Sequence, residues 1–331
     1  MKKKLSLFDY FHIVAFIMFT TFTALFIFLS YTNAQTKFER ESQKLSESYL
    51  DSKKKMLHDE VTKFVDFIHS KKRDVYHKTQ DTVKERVLEA YALALSIHER
   101  HKNTHTPTQI QEIIIETLRH LRFENGKGYY FITRLDGIEM LFADKPEMEG
   151  KNMLGLRNHE GRFVVKGMID VVKAQKEGFY EYSWTKPQAD GEHFKKISYI
   201  KLFEPYDWFI GTGLYLDDME HKVKEEILND TERLLFDKEG KNYIFAGTWK
   251  GMSLSHPAKG KDMYNVKDVN GKYIVQELIS RARSGGGFVE YVMPPLKGER
   301  NLNKLSYVAG ILDWEWYVGA GMNGTYLSQN F

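Results

Sequence analysis

The chain has 331 residues, a net charge of +3 from 48 basic and 45 acidic side chains, and no cysteine. That length allows two domains of ordinary size, each with its own core. The near balance of charge gives nucleic acid no footing, and the lack of cysteine excludes a disulfide framework, a thiolate metal site and a cysteine nucleophile.

Residues 1–9 carry Lys2, Lys3 and Lys4. Tyr10 to Tyr31 then run apolar, with His12 and the two tyrosines as the sole ionisable groups. Such a run spans the roughly 30 Å hydrocarbon layer as one transmembrane helix, 10–31, and exceeds the ~7–15-residue apolar core of a signal peptide. The lysines before it predict a cytoplasmic N-terminus. From 35 to 105 there is neither Gly nor Pro, and Phe64, Phe67, Ile68, Val83, Val87, Tyr91 and Leu95 recur at helical spacing. The spacing predicts one very long helix, or two nearly in line, acting as stalk and spine. Its apolar stripe needs cover from the sheets or from a sister helix, so a homodimer through the long helix is expected.

Thr106-Pro107-Thr108-Gln109 predicts a capped helix start, with Ile110, Ile113, Ile114, Leu118 and Leu121 turned inward. Short aromatic and β-branched runs follow, beginning at Tyr129 to Thr133. Gly178-Phe179-Tyr180-Glu181-Tyr182, Lys196-Ile197-Ser198-Tyr199 and Trp208-Phe209-Ile210-Gly211-Thr212-Gly213 are echoed by Gly287-Phe288-Val289-Glu290-Tyr291, Lys304-Leu305-Ser306-Tyr307 and Trp316-Tyr317-Val318-Gly319-Ala320-Gly321. Gly150-Lys151-Asn152-Met153 matches Gly260-Lys261-Asp262-Met263, and all four matches are offset by 108 to 110 positions. A shared offset over separated blocks means one unit present twice. The units are placed at 106–216 and 237–326, joined by a helix at 217–236, with 327–331 as the C-terminal end. The fold class is therefore α+β: a long N-terminal helix packed on two antiparallel sheet units, preceded by one transmembrane helix.

Phe131-Ile132, Asp136-Gly137, Gly150-Lys151-Asn152, the Gly178 and Lys196 blocks and Trp208 to Asp218 together resemble the double Cache sensor domain, type-2 repeat, of bacterial chemoreceptors, histidine kinases and cyclic-dinucleotide enzymes. The resemblance covers about 35 to 326. It implies PAS-like sheets on the long helix, a small-molecule ligand in the first, membrane-distal unit, and an output across the membrane. It also implies that 35–331 lie outside the inner (cell) membrane, in the periplasm. At Ala143-Asp144 the chain departs from the His-Pro often found in such domains, while the second unit keeps His256-Pro257.

Strand alternation puts Tyr180, Tyr182, Trp184 and Lys186 on one face of the first unit, against Val289, Tyr291, Met293 and Pro295 in the second. The first face keeps an indole and a cation that the second has lost, so ligand binding is expected there. Tyr182, Trp184 and Lys186, with Lys196 and Tyr199 on a neighbouring strand, Tyr130 on the first strand and Arg157 on the next loop, suit a small carboxylate: an organic acid or amino acid. His98, His101 and His105 lack an acidic or thiolate fourth ligand and read as a solvated helix end, so no metal is expected. Asp217-Asp218 reads as a helix N-terminal cap. No cofactor is implied, and no paired acid and base indicates an enzyme. An anchored binding or scaffold protein without output, and less so an exported enzyme, are the competing readings.

Overall fold

The computed structural model of the protein describes residues 7–186, 194–231, 243–255, 258–293 and 302–323. His256, Pro257 and Pro295, used in the sequence argument, lie outside them. Helix α1 runs unbroken from Leu7 to His101, 95 residues, so the expected span and spine are one helix. The reason is local: nothing between these residues is Gly or Pro, and each additional residue continues the hydrogen-bond ladder. From Tyr10 onward α1 contains a stretch long and apolar enough to cross a membrane, with none of that stretch buried in protein. Phe16, Phe19, Phe22 and Phe26 stand exposed there. Helix α2, Pro107–Arg119, starts with the expected capping box between Thr106 and Gln109 and buries Ile110, Ile114 and Leu118.

The chain divides into two compact units, 66–230 and 1–65 with 231–331. In the first, a five-stranded antiparallel sheet has the order β2-β1-β5-β4-β3. Its strands are β1 Tyr130–Arg134, β2 Glu139–Phe142, β3 Glu177–Trp184, β4 Phe194–Phe203 and β5 Trp208–Tyr215. Strand β5, flanked on both sides, is buried along its whole length. Helix α3, Val164–Gln175, covers one face through Val164, Val165, Met168, Ile169 and Val172. Val83 and Val87 of α1 cover the other, against Tyr199 and Leu214. The α3 side is the inner face of the sheet. Helix α4, Leu216–Thr231, begins directly after β5 and carries Asp217 and Asp218 in its first turn.

The second unit repeats the plan with strands β6 Tyr243–Thr248, β7 Gly287–Met293, β8 Leu302–Ile311 and β9 Trp316–Asn323, ordered β6-β9-β8-β7, and helix α5 Ile274–Arg283. The duplication extends to register. Phe131 lies opposite Gly211 as Phe245 lies opposite Gly319, and Tyr182 opposite Lys196 as Tyr291 opposite Lys304. The place of β2 is held by a single bridge, Gly247 to Ser253, where the first unit pairs Thr133 with Glu139.

Candidate ligand site on the inner face of the first sheet

Alternation along antiparallel strands decides which side chains meet. Tyr182 and Lys196 are direct cross-strand partners, and Lys196 in turn opposes Tyr215, so all three share the inner face. Phe131 faces the same way, and Tyr129, two residues before it, follows by alternation. Gly211 and Gly213 leave β5 bare on this side. A Cβ at Gly211 would overlap the Phe131 ring, and one at Gly213 would overlap Ser198 Oγ. The missing side chains are what let the aromatic and cationic groups lie flat on the sheet.

Lys196 is 1% exposed. Its Nζ donates to Tyr129 Oη at 2.8 Å and stands 4.1 Å from the Tyr129 ring centroid and 5.0 Å from that of Tyr215. Among the described residues no carboxylate comes within ion-pair distance of it. Burial pulls its pKa from the usual 10.5 down to about 7, with Asp144 opposing through space. Tyr182 is buried with its hydroxyl 3.1 Å from Ser198 Oγ. Trp184, half-buried, meets Tyr182 edge-on at 5.8 Å and Phe142 at 6.2 Å between ring centroids. Tyr182, Trp184 and Lys196 of the expected set are thus brought together.

The other four are not. Tyr130 opposes Thr212, and Thr212 opposes Tyr199, so these point to the α1 side. Tyr130 packs on Phe123, and Tyr199 on Phe179 and on Val83 and Val87 of α1. Tyr199 is three positions from Lys196, an odd step that reverses the face. Lys186 falls beyond the end of β3, and its ammonium is taken up by Asp217 at 2.9 Å and Asp218 at 2.6 Å. Burial lowers its pKa, but the hydrogen bonds to Asp218 and Asp217 outweigh that and the net shift is upward. The acidic pair, in the first turn of α4 where the cap reading placed it, also clasps a lysine. Arg157 is exposed, stacks on Phe163 at 3.5 Å from its centroid and donates to the Gly161 carbonyl at 2.5 Å. It staples its own loop.

Sequence reasoning missed Tyr129, Tyr215 and Glu139. Glu139 is 4% exposed, with Oε2 accepting from Thr133 Oγ1 at 3.0 Å and Oε1 buried without a partner. Burial, helped by Glu149 and opposed by the Thr133 hydrogen bond, raises its pKa to about 8. It lines a cavity of about 30 Å³ together with Phe131, Met168, Tyr182 and Trp184, room for one or two waters. One signal was available: Glu139 is the sole charged residue between Gly137 and Ala143, in a strand otherwise apolar. Among the described residues no cluster of His, Cys, Asp and Glu is arranged to hold a metal ion. His98 Nδ1 lies 2.9 Å from Tyr206 Oη, and His101 and His105 pair with each other at 3.3 Å.

The Cache domain family model matches residues 34–326. The chain belongs to the Cache family. Over 117 residues, 35% of this chain and 21% of the relative, the chain is 29% identical to the methyl-accepting chemotaxis protein McpP of Pseudomonas putida. Over 92 residues, 28% of this chain and 20% of the relative, it is 33% identical to the sensor histidine kinase MctS of Rhizobium johnstonii. The aligned stretches are about a fifth of each curated relative. A solved Cache chemosensory domain, described for its carboxylic acid recognition, is 26% identical and covers 42% of this chain and 96% of its own, with a TM-score of 0.40. A methyl-accepting chemotaxis protein from Vibrio parahaemolyticus is 27% identical over 46% of this chain and 98% of its own, also at 0.40. The two curated relatives are a chemotaxis protein and a sensor histidine kinase.

Proposed function

We propose that this Cache protein is a membrane-anchored sensory receptor domain whose first unit binds a small organic acid, amino acids included, on Lys196. One observation carries the reading: a wholly buried ammonium with tyrosines around it and no carboxylate beside it among the described residues. Burying an uncompensated charge costs several kcal/mol, and Lys196 relieves part of that by giving up its proton near neutrality. A ligand carboxylate restores the charge through a short, charge-assisted hydrogen bond. Tyr182 and Trp184 exclude water from the contact, and Glu139, with its free Oε1, suits the ammonium of an amino acid at the other end. Glu139, Tyr182 and Trp184 line the 30 Å³ hollow and Lys196 does not, so in this reading the ligand extends the hollow past Tyr182 to reach Lys196.

The strands that carry the site also touch α1 on their reverse side. Glu181, next to Tyr182, accepts from the Tyr76 hydroxyl, and Tyr199, on the strand of Lys196, rests on Val83 and Val87. A shift of β3 and β4 around the ligand is therefore felt by α1, an unbroken helix to its apolar segment. The ligand moves that equilibrium only by its difference in affinity for the two arrangements. In this reading 10–31 cross the inner membrane, 35–331 are periplasmic, and two copies pair along α1, where Phe38 and Leu45 stand exposed.

The test is calorimetric titration of the full chain in lipid nanodiscs with a panel of organic acids and amino acids. Saturable binding that Lys196→Met removes supports the reading. Binding that survives Lys196→Met unchanged refutes it.

A further inference from the structure

The cation the second unit lacks in sequence is the counterpart of Lys186, at Pro295, outside the described residues; its inner face holds another. Lys304 occupies the register position of Lys196 and lines a cavity of about 130 Å³, several times the hollow of the first unit. We propose that this cavity is a second ligand site, taking a small monocarboxylate with a short apolar tail, its carboxylate on Lys304.

Volume sets the size of the guest. An apolar cavity of ~150 Å³ admits benzene, so 130 Å³ accommodates about six non-hydrogen atoms, a four-carbon carboxylate. The lining sets its chemistry. Lys304 is the one charged side chain among the described residues around the cavity, and none of them forms an ion pair with it. Its Nζ stands 5.9 Å from the Tyr243 ring centroid. Burial lowers its pKa, the direction expected of a cation held away from water without an anion. The Tyr291 hydroxyl, on Ser306 Oγ at 3.0 Å, belongs to the same wall. Ile274, Val275 and Leu278 of α5 with Met263 and Met293 make the far end apolar, which suits an alkyl tail.

The same lining excludes an amino acid. Where the first unit places Glu139, the matching bridge brings Ser253, and no described residue of this cavity is acidic. An α-ammonium entering here would share the cavity with the Lys304 cation and meet hydroxyls but no counter-charge among the described residues. This site stands independently of ligand binding on Lys196.

The experiment titrates the full chain in nanodiscs with butanoate, its neutral isostere butanamide, and 2-aminobutanoate. Butanoate is expected to bind, with butanamide and 2-aminobutanoate at least tenfold weaker. Lys304→Met is expected to remove a butanoate site that Lys196→Met leaves in place, and Leu278→Trp, which fills the cavity without touching the charge, is expected to remove it too. No butanoate binding at millimolar concentration, binding untouched by Lys304→Met, or loss through Lys196→Met alone would each overturn the proposal. The last outcome would leave the first-unit reading standing, so the two fail separately.

Discussion

The two inner faces share a frame and differ in what fills it. In both, a lysine sits across from a tyrosine, and a serine on the lysine's strand accepts or donates to that tyrosine: Lys196, Tyr182 and Ser198 in the first, Lys304, Tyr291 and Ser306 in the second. The first adds Trp184 and Glu139, which leave about 30 Å³. The second has Met293 and Ser253 at those places and keeps about 130 Å³. The comparison teaches that duplication preserved the cation and its hydroxyl neighbours, while divergence acted on the residues that set the volume of the hollow and its second charge.

The sharpest way to break the comparison is to remove each lysine in turn. Lys196→Met should weaken first-unit ligands by 100-fold or more, the scale on which a buried charge-assisted contact of roughly 3 kcal/mol is lost. Lys304→Met should leave those ligands within twofold, and equal losses in calorimetry would mean the units are not separate sites.

Next in size is the acid. With a folded pKa of about 8 against an unfolded 4.5, Glu139 contributes stability that is fully present below pH 4.5 and is lost as pH rises through 8. Glu139→Gln should therefore flatten the stability profile between those limits and raise stability at pH 8 by on the order of 2–4 kcal/mol, measured by chemical denaturation. The same change should cost amino acids, and not simple organic acids, about tenfold in affinity if Glu139 meets their ammonium.

The pH dependence of binding is smaller per step but diagnostic. Lys196 has a depressed folded pKa, about 7, so above that pH a carboxylate must bring a proton with it. Affinity at the first unit should fall by about tenfold per pH unit above 7, with proton uptake visible when titrations are repeated in buffers of different ionisation enthalpy. A flat profile up to pH 9 would remove Lys196 from the contact.

Smallest should be the residues that register assigned elsewhere. Arg157→Ala and Tyr130→Phe should change affinity by less than about threefold, since one staples an exposed loop and the other faces α1. Trp184→Met, which imports the second unit's residue, should enlarge the first hollow and shift its preference toward longer acids.

What the sequence determined by itself was everything governed by local pattern or by repetition. The long helix follows from a stretch without Gly or Pro, the capped start of α2 from Thr106 and Gln109, and the two sheets from recurrent aromatic and β-branched blocks. The Cache resemblance rested on the same blocks, and the match over 34–326 agrees with it. That Tyr182 and Trp184 share a face was legible because alternation within a strand needs no tertiary knowledge, whereas placing Lys196 beside them needed the cross-strand register.

Tertiary structure alone decided which alternation pointed inward and which charges were already answered. Lys186 read as a free cation until Asp217 and Asp218, some thirty positions on, were seen to clasp it. Tyr199 read as a neighbour of Lys196 until cross-strand register put it against α1. Lys304 read as an ordinary member of the repeat until the cavity beside it appeared. The physical reason is common to all three: a charge or a ring has the same propensity wherever it lies in the chain, but its energy depends on what the fold brings within a few ångströms of it.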